Sequence, residues 1–164
     1  MATTVVDEGD VTGPTVRRRR VRAVNDATMR TVADCDGAGE VITDEPSAHG
    51  GTGTAPSPLQ TVVAALCGCE GVTFNRTAAE YGFAYDGLTF DAEYTLDIRG
   101  RSGDRTVRPF FQTVRVEVRV RTDEPVDRLT EVVAETEARC PVYNLIEAAG
   151  VAIEVTWIRE APAA

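Results

Sequence analysis

Residues 57–82 read SPLQTVVAALCGCEGVTFNRTAAEYG. This stretch decides the fold, because it carries both end signals of one long helix. Pro58 suits a first helical turn, where its missing N–H would have no intrahelical partner. Ser57 before it has the side-chain oxygen of an N-cap, and Gly82 is a stop signal. Between them, Val62, Val63, Ala64, Ala65 and Leu66 leave almost no polar face. A helix apolar all round is buried on most sides. The expectation is a central buried helix with Cys69 in its most apolar part. Cys67, two residues earlier, points to nearly the opposite face, so the two cannot bridge without unwinding the helix.

Two long strands are predicted after this helix. Leu88–Ile98 places Leu88, Phe90, Ala92, Tyr94, Leu96 and Ile98 on one face. Phe111–Val120 places Val114, Val116, Val118 and Val120 inward and Arg115, Glu117 and Arg119 outward. Period-two alternation means one dry and one wet face, as in antiparallel sheets. Pro125–Arg139 is an amphipathic helix through Val126, Leu129, Val132, Val133 and Thr136. A shorter helix follows at Val142–Ala149, then a closing strand at Val151–Ile158. Before the central helix, Val16–Val24 is an Arg-studded edge strand or a solvated basic arm. Thr28–Cys35 and Gly39–Thr43 complete a small meander, and Asp44–Pro56 is a Gly-rich loop with no phosphate-binding pattern. Residues 1–15 read as a disordered lead and 16–160 as a single domain. The order is α+β, with helices on antiparallel sheet.

The net charge of −9 argues against non-specific binding to nucleic acid or anionic lipid. All 17 basic residues are Arg. The run of about eighteen apolar residues that a membrane span needs is missing, and the N-terminus carries no apolar signal core; the expectation is cytoplasmic. Four cysteines, Cys35, Cys67, Cys69 and Cys140, form no CxxC, and His49 has no cysteine at ligand spacing. Neither a metal nor a cofactor is expected. Cys140 directly precedes Pro141, the first residue of a helix. Unpaired N–H groups at that N-cap favour thiolate over thiol.

The segment PSPLQTVVAALCGCEG, preceded by DEPSAHGGTGT, resembles the first signature of the OsmC/Ohr family (osmotically inducible protein C and organic hydroperoxide resistance protein). EPVDRLTEVVAETEARCPVYNLIEAAGVAIEV resembles the second. The resemblance implies an OsmC-like fold over roughly Val16–Ile158, built as an intertwined homodimer. It implies a thiol-dependent peroxidase acting in oxidative-stress defence, with organic hydroperoxides as substrate and a dithiol as reductant. Cys69 becomes a sulfenic acid that a disulfide to Cys140 resolves. An Arg from the N-terminal region stabilises the thiolate; Arg30 is the candidate, with Arg22 as the other. Family members usually carry a Glu just after the helix-opening Pro, where this chain has Leu59 and Gln60. That departure motivates a second expectation, a non-catalytic redox-responsive or ligand-binding dimer.

Overall fold

The computed structural model describes residues 15–162. The lead expected over 1–15 lies outside the described residues except for Thr15. The chain divides into two compact units, one through Pro58 and one from Leu59 onward.

The first unit is the expected meander, with β1 (Arg22–Asn25), β2 (Thr31–Asp34) and β3 (Glu40–Thr43) antiparallel in that order. The strands are shorter than alternation suggested, and residues 16–21 are exposed and outside any strand. Local chemistry explains the early end of β1. The Asn25 amide donates to the carbonyls of Thr28 and Arg30, both at 2.9 Å, and its Oδ1 accepts from the Ala27 amide. That Asx-type bonding lets Ala27 adopt a left-handed φ of 68°. Asp44, fully buried at the end of β3, fixes the next loop. Its carboxylate accepts from the amides of Glu45, Thr52 and Thr54 and from the hydroxyls of Thr52 and Thr54. Gly51 sits inside this clamp. A Cβ there would lie 1.8 Å from the Glu45 carbonyl oxygen, which only glycine avoids.

Helix α1 runs Pro58–Tyr81, all but its opening Pro58 in the second unit, and Pro58 opens it as expected. Gly82 ends it with φ 61°. The amide of Gly82 donates to the Ala79 carbonyl and that of Phe83 to Ala78, a Schellman pair. Strands β4 (Gly87–Leu96) and β5 (Phe111–Arg121) pair antiparallel, while β6 (Ala152–Glu160) pairs parallel to β5. The sheet is therefore mixed, which corrects the expectation of antiparallel sheets. A parallel neighbour needs a crossover. The crossover is supplied by α3 (Val126–Arg139) and α4 (Pro141–Ala148). A single-turn helix, α2 (Ile98–Arg101), interrupts the β4–β5 connection, because Asp97 accepts from the Arg99 amide and caps it. Ile98, expected on the apolar face of β4, is exposed there instead.

The core lies on the inward face of β5. Val114, Val116, Val118 and Val120 pack with Leu66, Phe74 and Ala78 of α1, Leu129 and Val132 of α3, and Ile146 of α4. Phe74 stacks on Trp157 of β6 at 5.3 Å. The buried stripe of α1 is Val63, Leu66, Glu70, Phe74, Thr77 and Ala78. Its opposite face is open: Val62 is 41% and Val72 53% exposed. The helix is thus buried along one face within this chain, not on most sides. Uniform hydrophobicity sets how much surface seeks cover but not which chain covers it.

Candidate functional site

Two helical features position the candidate sulfur atoms. Cys69 lies mid-way along α1, half-buried, with its carbonyl accepting from the Thr73 hydroxyl at 2.8 Å. Cys140 is the hinge residue between α3 and α4 and is fully buried. Pro141 excludes helical backbone at the residue before it, and Cys140 accordingly takes ψ 111° between the two helices. The corner is braced by Asn144, whose side-chain amide donates to the carbonyls of Glu137 and Cys140 at 2.9 and 2.8 Å. Its backbone amide closes the first turn of α4 on the Cys140 carbonyl at 3.1 Å. In this arrangement both thiols are free, and Cys69 is a near enough neighbour to act on the Cys140 thiol.

The helix-end argument for a Cys140 thiolate is overruled by burial. Desolvation pushes the Cys140 thiol up to about 11, and Cys69 adds to the rise. The amides of Tyr143 and Val142 oppose the shift but do not reverse it, and the side chain makes no direct capping hydrogen bond. An N-terminal dipole is worth a fraction of the cost of placing a charge where water cannot reach. Cys140 is therefore a neutral thiol at neutral pH.

Glu70, the residue after Cys69, belongs to the same surroundings. It is fully buried, and neither carboxyl oxygen has a hydrogen-bond partner among the described residues. Burial, with the nearby Glu137 carboxylate adding, pushes its carboxyl up to about 7. Glu137 itself accepts from the Trp157 indole N–H at 2.9 Å. Burial and then Glu70 raise the Cys67 thiol. Burial and then Glu137, Glu147 and Glu70 raise Tyr143. The sequence leaves Glu70 open between standing in for the missing Glu that holds the arginine and repelling a Cys69 thiolate. The signal of its burial was the spacing: Glu70 falls four residues after Leu66 and four before Phe74, on the stripe that faces the core.

Cys67 points elsewhere. It lines a groove between α1 and β4 with Gly68, Gly71, Tyr85 and Phe90, as the helical spacing required. Cys35 is half-buried in the first unit. Arg30 also belongs to the first unit, in the turn before β2 and not within the strand. Its amide donates to the Thr28 hydroxyl at 3.1 Å, and it is half-buried where Arg22 is exposed. The structure thus joins two of the three expected site residues and assigns the third to the other unit. Among the described residues no group of three or more His, Cys, Asp or Glu side chains is placed to hold a metal ion. No helix is long and apolar enough to cross a membrane.

A long helix on a mixed sheet, with a cysteine pair where that helix meets a Cys-Pro helical corner, defines a class of thiol-bearing α+β proteins. The family model described as OsmC-like protein matches residues 51–156, and the chain belongs to that family. No curated protein matches it. Among solved structures it is similar to an OsmC-like protein from Mycoplasma pneumoniae, with TM-score 0.74 and 14% identity, covering 90% of this chain and 99% of that one. It is similar to an organic hydroperoxide resistance protein OsmC from Legionella pneumophila, with TM-score 0.67, 18% identity and coverage of 88% and 98%. A third is an organic hydroperoxide resistance protein from Elizabethkingia anophelis, with TM-score 0.70, 13% identity and coverage of 90% and 100%. At such identities the likeness speaks for the fold.

Proposed function

We propose that this protein is a cysteine-based, thiol-dependent peroxidase that reduces organic hydroperoxides. The observation that carries the reading is that half-buried Cys69 is a neighbour of the buried Cys140 thiol at the α3–α4 corner. Family membership supports it, as do relatives called organic hydroperoxide resistance proteins. The Cys69 thiolate attacks the peroxide oxygen, the alkoxide leaves, and Cys69 becomes a sulfenic acid. Cys140 then displaces hydroxide from that sulfur to form a disulfide, and an external dithiol returns both cysteines to thiols. The apolar run Val62–Leu66 before Cys69 favours a substrate with an alkyl tail, since each buried methylene contributes about 0.8 kcal/mol. A thiolate in such a site needs a cation. In this reading Arg30 fills that role, as the resemblance to the family implies, with Arg22 as the other candidate.

A homodimer completes the proposal. Its support is the open apolar face of α1 around Val62 and Val72, which a second copy would cover. The domain acts in the cytoplasm in this reading. Purified protein is expected to consume cumene hydroperoxide with a dithiol, and Cys69→Ser to abolish turnover. Disulfide formation without turnover under any reductant points instead to a redox-responsive dimer, the reading favoured by Leu59 and Gln60 at the helix start.

A further inference from the structure

Glu70 is the one carboxyl among the described residues that is both fully buried and without a hydrogen-bond partner. Buried polar groups are almost always paired, and an exception needs a reason. A packing role does not supply one, since Leu or Met would fill the same space on the Leu66–Phe74 stripe without desolvating a carboxyl. Its surroundings point to the thiols. The titratable groups around it are Cys67 on its own helix, Glu137 near the end of α3 and Tyr143 in the first turn of α4. Glu137 and Tyr143 stand three residues before and three after Cys140. Cys69 adjoins Glu70 in the chain, and β6 contributes the neutral indole of Trp157 through Glu137. The carboxyl is therefore buried beside Cys69 in the chain and among groups that flank Cys140.

That corner has a proton problem. Cys140 is a neutral thiol, yet it must lose its proton to attack Cys69, and the group it displaces must gain one. We infer that Glu70 is the proton-exchange group of the cysteine pair, giving its proton to the leaving group and taking the proton that Cys140 sheds. In the peroxidase cycle the S–O bond of the Cys69 sulfenic acid breaks as the S–S bond forms. Hydroxide leaves as water with the Glu70 proton, and the Glu70 carboxylate is reprotonated from Cys140. The Cys140 sulfur is oxidised and the sulfenyl sulfur reduced, so the carboxyl ends as it began. The same exchange serves any disulfide closure: when Cys140 displaces glutathione from a mixed disulfide on Cys69, the leaving thiolate takes the proton. A carboxyl titrating near neutrality suits both directions.

This inference rests on the Cys69–Cys140 disulfide but not on peroxide chemistry, and oxidised glutathione separates the two. Reduced wild-type protein, Glu70→Gln and Glu70→Asp are mixed with oxidised glutathione from pH 5 to pH 9, acid-quenched and weighed intact. Wild-type closure is expected to show an inflection near pH 7. Glu70→Gln is expected to close at least tenfold more slowly at pH 7 and to lose the inflection, while Glu70→Asp recovers it in part. Equal rates and equal profiles for wild type and Glu70→Gln overturn the inference, and so does a wild-type protein that never closes the pair. Closure through Glu70 in a protein that does not turn over cumene hydroperoxide sinks the peroxidase reading alone.

Discussion

Asp44 and Glu70 are both carboxyls with no exposed surface, and they are built in opposite ways. Asp44 receives three backbone amides and two hydroxyls. Those donors, led by Thr52, hold its carboxyl well below the usual carboxylate range. Glu70 receives none and is pushed up to about 7. Burial alone therefore does not set the charge of a carboxyl; the donors that replace water do. Asp44 is an anion that organises a loop. Glu70 is an acid poised to exchange a proton.

The largest expected effect comes from the unpaired member. Its folded-state value lies above the unfolded one, so the stability it permits is fully present below the unfolded value near 4.5 and is lost as pH rises through 7. Between pH 4 and pH 9 wild-type protein is expected to lose about 3 kcal/mol that Glu70→Gln does not lose. Urea midpoints at the two pH values measure this, and parallel losses in both proteins would refute the assignment. A smaller effect is expected at the paired member's clamp. Gly51→Ala drives a methyl group into the Glu45 carbonyl and is expected to destabilise by about 2 kcal/mol, read as a lowered urea midpoint at any pH. Unchanged stability would mean that the loop has another way to close on Asp44. The smallest effect is a null one. Asp44 has a depressed value, so its contribution is present above about pH 4 and is lost only as pH falls below that. Asp44→Asn is thus expected to cost the same stability at pH 5 as at pH 9, and a difference would show that its donors do not hold it as an anion.

The ends of α1 were legible in the sequence because Pro58 and Gly82 act through local backbone chemistry. The valines of β5 were legible because alternation marks a buried face. Strand direction was not legible. The pattern of Ala152–Glu160 is the same whichever way it runs, and only the length of the α3–α4 return fixes it as parallel. At the site, Cys69 and Cys140 were found from the signatures around them, but the ionisation of Cys140 was misjudged. The helix-end rule is local, whereas the burial that overrides it is made by residues distant in sequence. Glu70 stood out in the sequence as the neighbour of Cys69, but its burial, written into the spacing of the core stripe, was hidden by the usual association of Glu with solvent.

The α3–α4 hinge has a mechanical side. A bond from Cys140 to Cys69 encloses β4 and β5 and leaves β6 outside. If the proposed bond forms, the roughly 70 residues between the two sulfurs would bear no tension in a stretched chain, and about 250 Å of contour length would stay hidden. Its reduction would release that length in one step, so the two redox states of the proposal would differ in how far the chain extends under force.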